Sequence, residues 1–76
     1  MIEELATIAL TTDVPEHQLQ AGDIGTVVLI HANGTGYTVE FLTLSGETVA
    51  VVTLSADKVR PIRTNEIARV RELRAA

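Results

Sequence analysis

Short runs of β-branched and other apolar residues recur along the chain, and each run is ended by a polar or glycine-containing stretch. In the third run Tyr37, Val39 and Phe41 alternate with Thr38 and Glu40, the period of two that is typical of a strand with one buried face. The pattern predicts an all-β domain with five strands, at residues 5–10, 24–31, 37–44, 48–54 and 59–62.

The connections indicate how these strands follow one another. Asn33 and Gly34 supply the positive φ that a tight hairpin needs. Residues 11–22 are polar and too numerous for a hairpin, so we expect a folded excursion loop there. Residues 55–58 have the length and polarity of one helical turn, and Pro61 suits only an edge strand. Such a five-stranded meander fits a small barrel.

The last segment changes its period. With Thr64 or Asn65 as N-cap, apolar and basic residues recur at the three- and four-residue spacing of an amphipathic helix, namely Ile67, Val70, Leu73 and Arg74. We therefore divide the chain into a barrel at residues 1–63 and a C-terminal helix at residues 64–76. Helices this short rarely persist alone in water, so this one must dock on an apolar surface.

Two predicted strands are apolar on both faces, at residues 24–31 and 48–54. A small barrel interior can absorb only one face of each strand. The other face needs a cover, which the helix, a second copy of the chain or a different protein could supply. The residues expected in the core include Val28, Val39, Phe41 and Val51.

Charge is distributed unevenly along the chain. Residues 1–57 hold eight acids and no base, whereas residues 58–76 hold six bases and two acids, so the two parts carry −8 and +4. Arg69, Arg71 and Arg74 admit two interpretations: solvated cations near a helix C-terminus, or partners of an acidic surface on the same chain or a neighbour. The predicted partner-binding residues are Ile67, Val70, Leu73, Arg69, Arg71 and Arg74.

The candidate chemistry is sparse. The glycines around Asp23 precede a strand and no lysine follows them closely, so a phosphate loop is disfavoured. His17 and His31 lack further ligands at a recognisable spacing, and no nucleophile is placed by a motif. We expect no enzyme activity, cofactor, metal or small-molecule substrate. An acidic body with two aromatic residues disfavours nucleic acid and polyproline ligands.

The N-terminal region and the cysteine count bear on location. The apolar run at residues 5–10 follows two glutamates, which predicts neither a secretory signal nor a membrane span. The chain has no cysteine, which fits a reducing compartment, and the cytoplasm is the expected location.

Several short motifs follow one another between residues 5 and 62: Val14-Pro15-Glu16-His17, Leu19, Gly22-Asp23-Ile24-Gly25-Thr26-Val27-Val28, Val39-Glu40-Phe41, Thr53-Leu54 and Val59-Arg60-Pro61. In them the chain resembles a family of short bacterial proteins classed only as a domain of unknown function, number four-nine-two-six. The resemblance implies a five-stranded SH3-like barrel and no catalytic residue. More loosely, the glycine-rich opening is similar to strands of nitrile hydratase β-subunit barrels and of ribosome-associated KOW modules. Residues 63–76 lie beyond the resemblance.

These observations favour a non-catalytic protein-interaction module, an accessory partner of a protein encoded nearby. Self-association as a homo-oligomer is the rival within that class. A KOW-like contact with nucleic acid or the ribosome is a second class, and its binding would depend strongly on salt. It would use the basic residues Lys58, Arg60, Arg63, Arg69, Arg71 and Arg74. An accessory subunit of an enzyme whose active site lies on another chain is the third.

Overall fold

A computed structural model of the protein describes residues 2–73, and their regular structure is a single antiparallel sheet. Its strands are β1 (Thr7–Leu10), β2 (Ile24–His31), β3 (Gly36–Leu42), β4 (Thr48–Ser55) and β5 (Val59–Pro61). They lie in the order β4-β3-β2-β1-β5, so β4 and β5 form the two edges. The all-β prediction is confirmed, with strand ends that differ from the predicted ones by up to two residues.

Turn chemistry accounts for the tight connections. Asn33 and Gly34 adopt φ values of 58° and 92° between β2 and β3, which is the left-handed backbone that the sequence predicts there. A single 3₁₀ turn at Ala56–Lys58 joins β4 to β5, as expected from its polarity and length.

The long connection after β1 is folded. Val14 and Leu19 are buried and exchange backbone hydrogen bonds of 2.9 and 3.1 Å, closing a small loop over the 3₁₀ turn Pro15–His17. Asp13 accepts the N–H of Ala21 at 2.8 Å. This confirms the folded excursion and fixes where β2 begins.

The core lies on one face of the sheet. It contains Ile8, Leu10, Val14, Leu19, Val27, Tyr37, Val39, Phe41, Val52, Leu54 and Val59. The predicted core positions Val39 and Phe41 are confirmed.

Two other predicted core residues are wrong, for different reasons. Val51 is 55% exposed because it pairs with Glu40 on the outer face, while the next residue along β4 faces inward. Val28 is half-buried, since the pairing of β2 with β3 shifts between Val27 and Leu29. The irregularity leaves Val28 as the extra residue and breaks the alternation of faces.

The predicted C-terminal helix is wrong for the residues described. A turn forms at its expected start, where Glu66 donates its N–H to the carbonyl of Arg63 at 3.2 Å. Beyond that turn, residues 66–73 have no regular structure. Nucleating a helix is unfavourable, because the first turn fixes the backbone of several residues and gains only one hydrogen bond. Two ion pairs, Arg60 with Glu66 and Arg71 with Asp23, hold the segment in a non-helical conformation instead.

Candidate functional site

The candidate site is the C-terminal segment, residues 62–73, together with the side chains that tie it to the sheet. One anchor is Asp23, which stands directly before β2. Gly22, at φ 92°, turns the chain into this position, and Asp23 accepts the N–H of Gln20 at 2.8 Å. The carboxylate is therefore held in place by its own loop and directed toward the C-terminal segment.

Arg71 binds Asp23 with two hydrogen bonds. Its Nε donates to Oδ1 at 2.9 Å and its Nη2 to Oδ2 at 2.5 Å, a fork-to-fork geometry that is specific to arginine. Nη2 also donates to the carbonyl of Gln18 at 3.0 Å. Arg71 is thus held both by the carboxylate of Asp23 and by a backbone carbonyl of the excursion loop.

The electrostatics of this pair favour the ionised forms. Partial burial raises the pKa of Asp23, but the hydrogen bonds from Arg71 and the Gln20 N–H, with the charge of Arg71, outweigh it. The pKa of Asp23 therefore lies below its ordinary value. The hydrogen bond to Asp23 raises the pKa of Arg71, so the pair stays charged at neutral pH.

A second ion pair fixes the start of the segment. Arg60, in β5, donates from Nη1 and Nη2 to the two carboxylate oxygens of Glu66 at 2.9 and 2.6 Å. Glu66 also accepts the N–H of Arg63 at 2.7 Å. The Arg60 hydrogen bond, followed by that of the Arg63 N–H, lowers the pKa of Glu66 to about 2.

Between the two ion pairs, the apolar side chains point to solvent. Ile67 is 91% exposed and Val70 is 82% exposed. Leu73 is less exposed and lines a surface hollow of about 530 Å³ with Pro15 and Leu19. The segment is therefore fastened by its charged residues, and two large apolar residues face outward.

The predicted partner-binding residues do not form one helical face. Ile67 and Val70 are exposed, Leu73 lines the hollow beside the excursion loop, and Arg71 pairs with the chain's own Asp23. Arg69 lines a second hollow, of about 490 Å³, between the segment and the sheet. Arg74 lies outside the described residues.

Sequence reasoning did not identify the anchoring acids, Asp23 and Glu66, as functional. The uneven charge was the signal that could have found them, because a basic C-terminal part needs acidic partners somewhere in the body.

The histidines and acids are the residues that could ligate a metal ion. His31 lies on the outer face, with Nε2 at 2.6 Å from the hydroxyl of Thr38, which is in turn 2.9 Å from the hydroxyl of Thr53. Within residues 2–73, acids and histidines do not gather in threes in any arrangement fit for a metal ion. In the same residues, no helix has the length and apolar character to cross a bilayer.

The glycine near the start of β2 has a packing role. A Cβ built on Gly25 would lie 2.5 Å from Cγ1 of Val39 and 2.8 Å from a ring carbon of Phe41. Glycine at this position therefore lets the side chains of Val39 and Phe41 pack directly against the backbone of β2.

Taken together, these features describe a small all-β domain whose C-terminal segment is fastened to the sheet by ion pairs. The chain belongs to the family described as Domain of unknown function (DUF4926), whose model matches residues 4–61. A search of curated proteins and a search of solved structures each found no match. The anchor Asp23 lies inside the family match, and the segment it binds lies beyond it.

Proposed function

We propose that this protein is a non-catalytic protein-interaction module, and that residues 62–73 form its surface for a protein partner. The single observation that carries the proposal is the exposure of Ile67 and Val70 on a segment that two ion pairs fasten to the sheet. Large apolar residues that are held outward in this way are typical of binding surfaces. A segment fixed before binding also loses less conformational entropy when its partner arrives.

The charge of the segment defines the partner. Of the bases in residues 62–73, Arg63 and Arg69 belong to neither ion pair, so the proposed partner has an apolar cleft for Ile67 and Val70 with acidic residues at its rim to face these two arginines. Charges at an interface rim act mainly on the association rate, and salt weakens their attraction. The apolar anchors contribute most of the affinity.

Nucleic acid is supported less well than protein. The guanidinium groups of Arg60 and Arg71 each bind a carboxylate of this chain. A phosphate would have to compete with those carboxylates for the same donors.

The proposal also includes the closure of the sheet into a barrel. A single sheet in the order β4-β3-β2-β1-β5, with a 3₁₀ turn between β4 and β5, supports an SH3-like barrel in which the core fills the interior. In that arrangement β5 and the segment after it lie on the outside, where a partner can reach them.

A photocrosslinking amino acid at position 67 tests the proposal in the host that encodes the protein. The matched control carries it at position 44, because Leu44 is 96% exposed and lies in the turn between β3 and β4. We expect a discrete protein linked from position 67 and absent from position 44. The linked protein is then purified, and its affinity for the wild-type chain is compared with its affinity for Val70→Lys.

The expected loss in Val70→Lys is about tenfold or more, the effect of a moderate interface anchor. Equal crosslinking from positions 67 and 44 would contradict the proposal. So would an identified partner that binds Val70→Lys as tightly as the wild type. Nucleic acid linked from position 67 would favour the competing interpretation.

A further inference from the structure

The C-terminal segment is held to the sheet almost without apolar packing. Every residue from 62 to 73 is exposed. A hollow of about 490 Å³ lies between the segment and the sheet, and Ile24 and Ile62, which line it, remain 44% and 39% exposed. Within residues 2–73, the stretch 67–73 makes no backbone-to-backbone hydrogen bond. The position of the segment therefore depends on the ion pairs at its two ends.

The ion pair at the start of the segment is local and is reinforced by the backbone. Arg60 and Glu66 are six residues apart, and Glu66 also accepts the N–H of Arg63 at 2.7 Å. The N–H of Glu66 donates in turn to the carbonyl of Arg63 at 3.2 Å, so side chain and backbone close the same turn. Closing so short a loop costs little conformational entropy, and the turn uses no residue beyond Glu66.

The ion pair at the far end has no such local support. Arg71 reaches across to Asp23 and to the carbonyl of Gln18, and the residues between Glu66 and Arg71 bury no side chain. The side chains of Arg71 and Asp23 are 31% and 19% exposed, so water and ions reach the pair. Ion pairs that are open to solvent contribute little each and weaken with salt.

We propose that the C-terminal segment is a strap with a hinge and a latch, and that salt operates the latch. The hinge is the Arg60–Glu66 pair and the latch is the Arg71–Asp23 pair. In the closed state the exposed apolar residues between the two pairs are held in one place. In the open state residues 67–73 detach and swing about the hinge, while the sheet keeps its structure.

The balance between the two states follows from the strength of the latch. A two-bond fork between arginine and a carboxylate near the surface, with one further bond to a carbonyl, favours the closed state by a factor on the order of ten at low salt. The Debye length falls from about 30 Å at 0.01 M salt to about 3 Å at 1 M, which is close to the 2.9 Å between Arg71 Nε and Asp23 Oδ1. We therefore expect the closed-to-open ratio to fall toward one at about 1 M salt.

The strap deepens the proposed function, and it rests on that function in one respect only, the effect of opening on a partner. The closed state is the one that presents Ile67 and Val70 together, so the apparent affinity for the partner scales with the closed fraction. Opening the latch should then weaken binding severalfold, although neither apolar residue is changed.

NMR with ¹⁵N labelling of the full-length chain measures the opening without any partner. Heteronuclear NOEs of residues 67–73 and of the Arg71 Nε–H are recorded at about 0.01 M and about 1 M sodium chloride. We expect both to fall at high salt while the amides of β1–β5 keep their values. Asp23→Asn should produce the open state at low salt. Its matched control is Asp57→Asn, which removes the same charge from an exposed acid outside both ion pairs.

Further variants separate the hinge from the latch. In Asp23→Asn the Glu66 carboxyl should still titrate well below its ordinary pKa of 4.5, because the hinge persists. Glu66→Ala removes the hinge and lengthens the free loop before Arg71 from about five residues to about ten, so the closed-to-open ratio should fall about threefold at low salt. Arg71→Lys keeps the charge but loses the fork, and should also lower this ratio.

Equal NOEs of residues 67–73 at low and high salt would overturn the salt-operated latch, as would an Asp23→Asn segment as ordered as the wild type. A Glu66 midpoint near 4.5 in Asp23→Asn would overturn the hinge, because the segment would then detach as one unit. The two proposals fail separately: a strap that never opens leaves the crosslinked partner at position 67 in place, and absence of that partner leaves the NMR test unaffected.

Discussion

Replacing Gly25 with alanine would test how tightly the sheet is packed beneath β2. Gly25 lies opposite Ile8 in β1, and an added Cβ would stand 2.5 Å from Cγ1 of Val39 and 2.8 and 2.9 Å from ring carbons of Phe41. Ordinary contacts begin near 3.4 Å, so the valine must retreat by about 0.9 Å (3.4 − 2.5) into a core where it is fully buried. Overpacking of this kind costs about 1–3 kcal/mol.

An opposing effect is smaller. Alanine reduces the conformational entropy of the unfolded chain, which stabilises the fold by about 0.4–1 kcal/mol. We therefore expect Gly25→Ala to lower the free energy of unfolding by about 1–2 kcal/mol. That is a large part of the roughly 3–5 kcal/mol available to a domain this small. Urea unfolding followed by far-UV circular dichroism measures the loss.

The matched control is Gly36→Ala. Gly36 has ordinary backbone angles, and a Cβ there would meet nothing nearer than the Leu54 carbonyl oxygen at 3.3 Å, so the loss should be smaller. The double variant Gly25→Ala/Val39→Ala should be more stable than the sum of the single losses predicts, because removing Cγ1 opens the space that the new methyl needs. Equal stability of wild type and Gly25→Ala, or strictly additive losses in the double variant, would refute this reasoning.

Two further predictions concern the C-terminal segment. The pKa of Glu66 is lowered from 4.5 to about 2, so its ion pair with Arg60 is fully formed above the ordinary pKa and is lost as the pH falls through about 2. The side-chain carboxyl signal of Glu66 in NMR should therefore titrate near 2, and Arg60→Met should move the midpoint upward; a wild-type midpoint near 4.5 would contradict the pairing. Separately, Ile67→Ser/Val70→Ser should change the free energy of unfolding by no more than about 0.5 kcal/mol, because both side chains are exposed. A loss above about 1.5 kcal/mol in thermal unfolding would instead mean that these side chains pack on the sheet, as a docked helix would require.

The strands could be predicted because their information is local. Tyr37, Val39 and Phe41 alternate with polar residues, and the connections that lead into β2, β3 and β4 each contain glycine. Val28 was misplaced since an irregularity in pairing depends on the neighbouring strand, which the pattern of β2 alone does not contain. Val51 was misplaced because β4 is apolar on both faces, so its sequence does not say which face is buried.

The candidate site could be predicted only in part. The uneven distribution of charged residues located the basic segment at the C-terminal end of the chain. The helical spacing of apolar residues selected Ile67 and Val70 as partner-binding residues. Its conformation could not be predicted, because the deciding contact joins Arg71 to an aspartate 48 residues away. A local period of three to four residues carries no information about such a contact, and the ion pairs outweighed a marginal helix propensity.

The central claim is that residues 66–73 are held in a non-helical path by Arg71 and Asp23. Backbone NMR of the full chain at low salt tests it most directly, through Cα chemical shifts and heteronuclear NOEs of this segment in the wild type and in Asp23→Asn. We expect non-helical shifts and, on the picosecond-to-nanosecond timescale, ordered amides in the wild type, with order lost around Arg71 in the variant. Helical Cα shifts across residues 66–73, or a wild-type segment as mobile as that of Asp23→Asn, would contradict it.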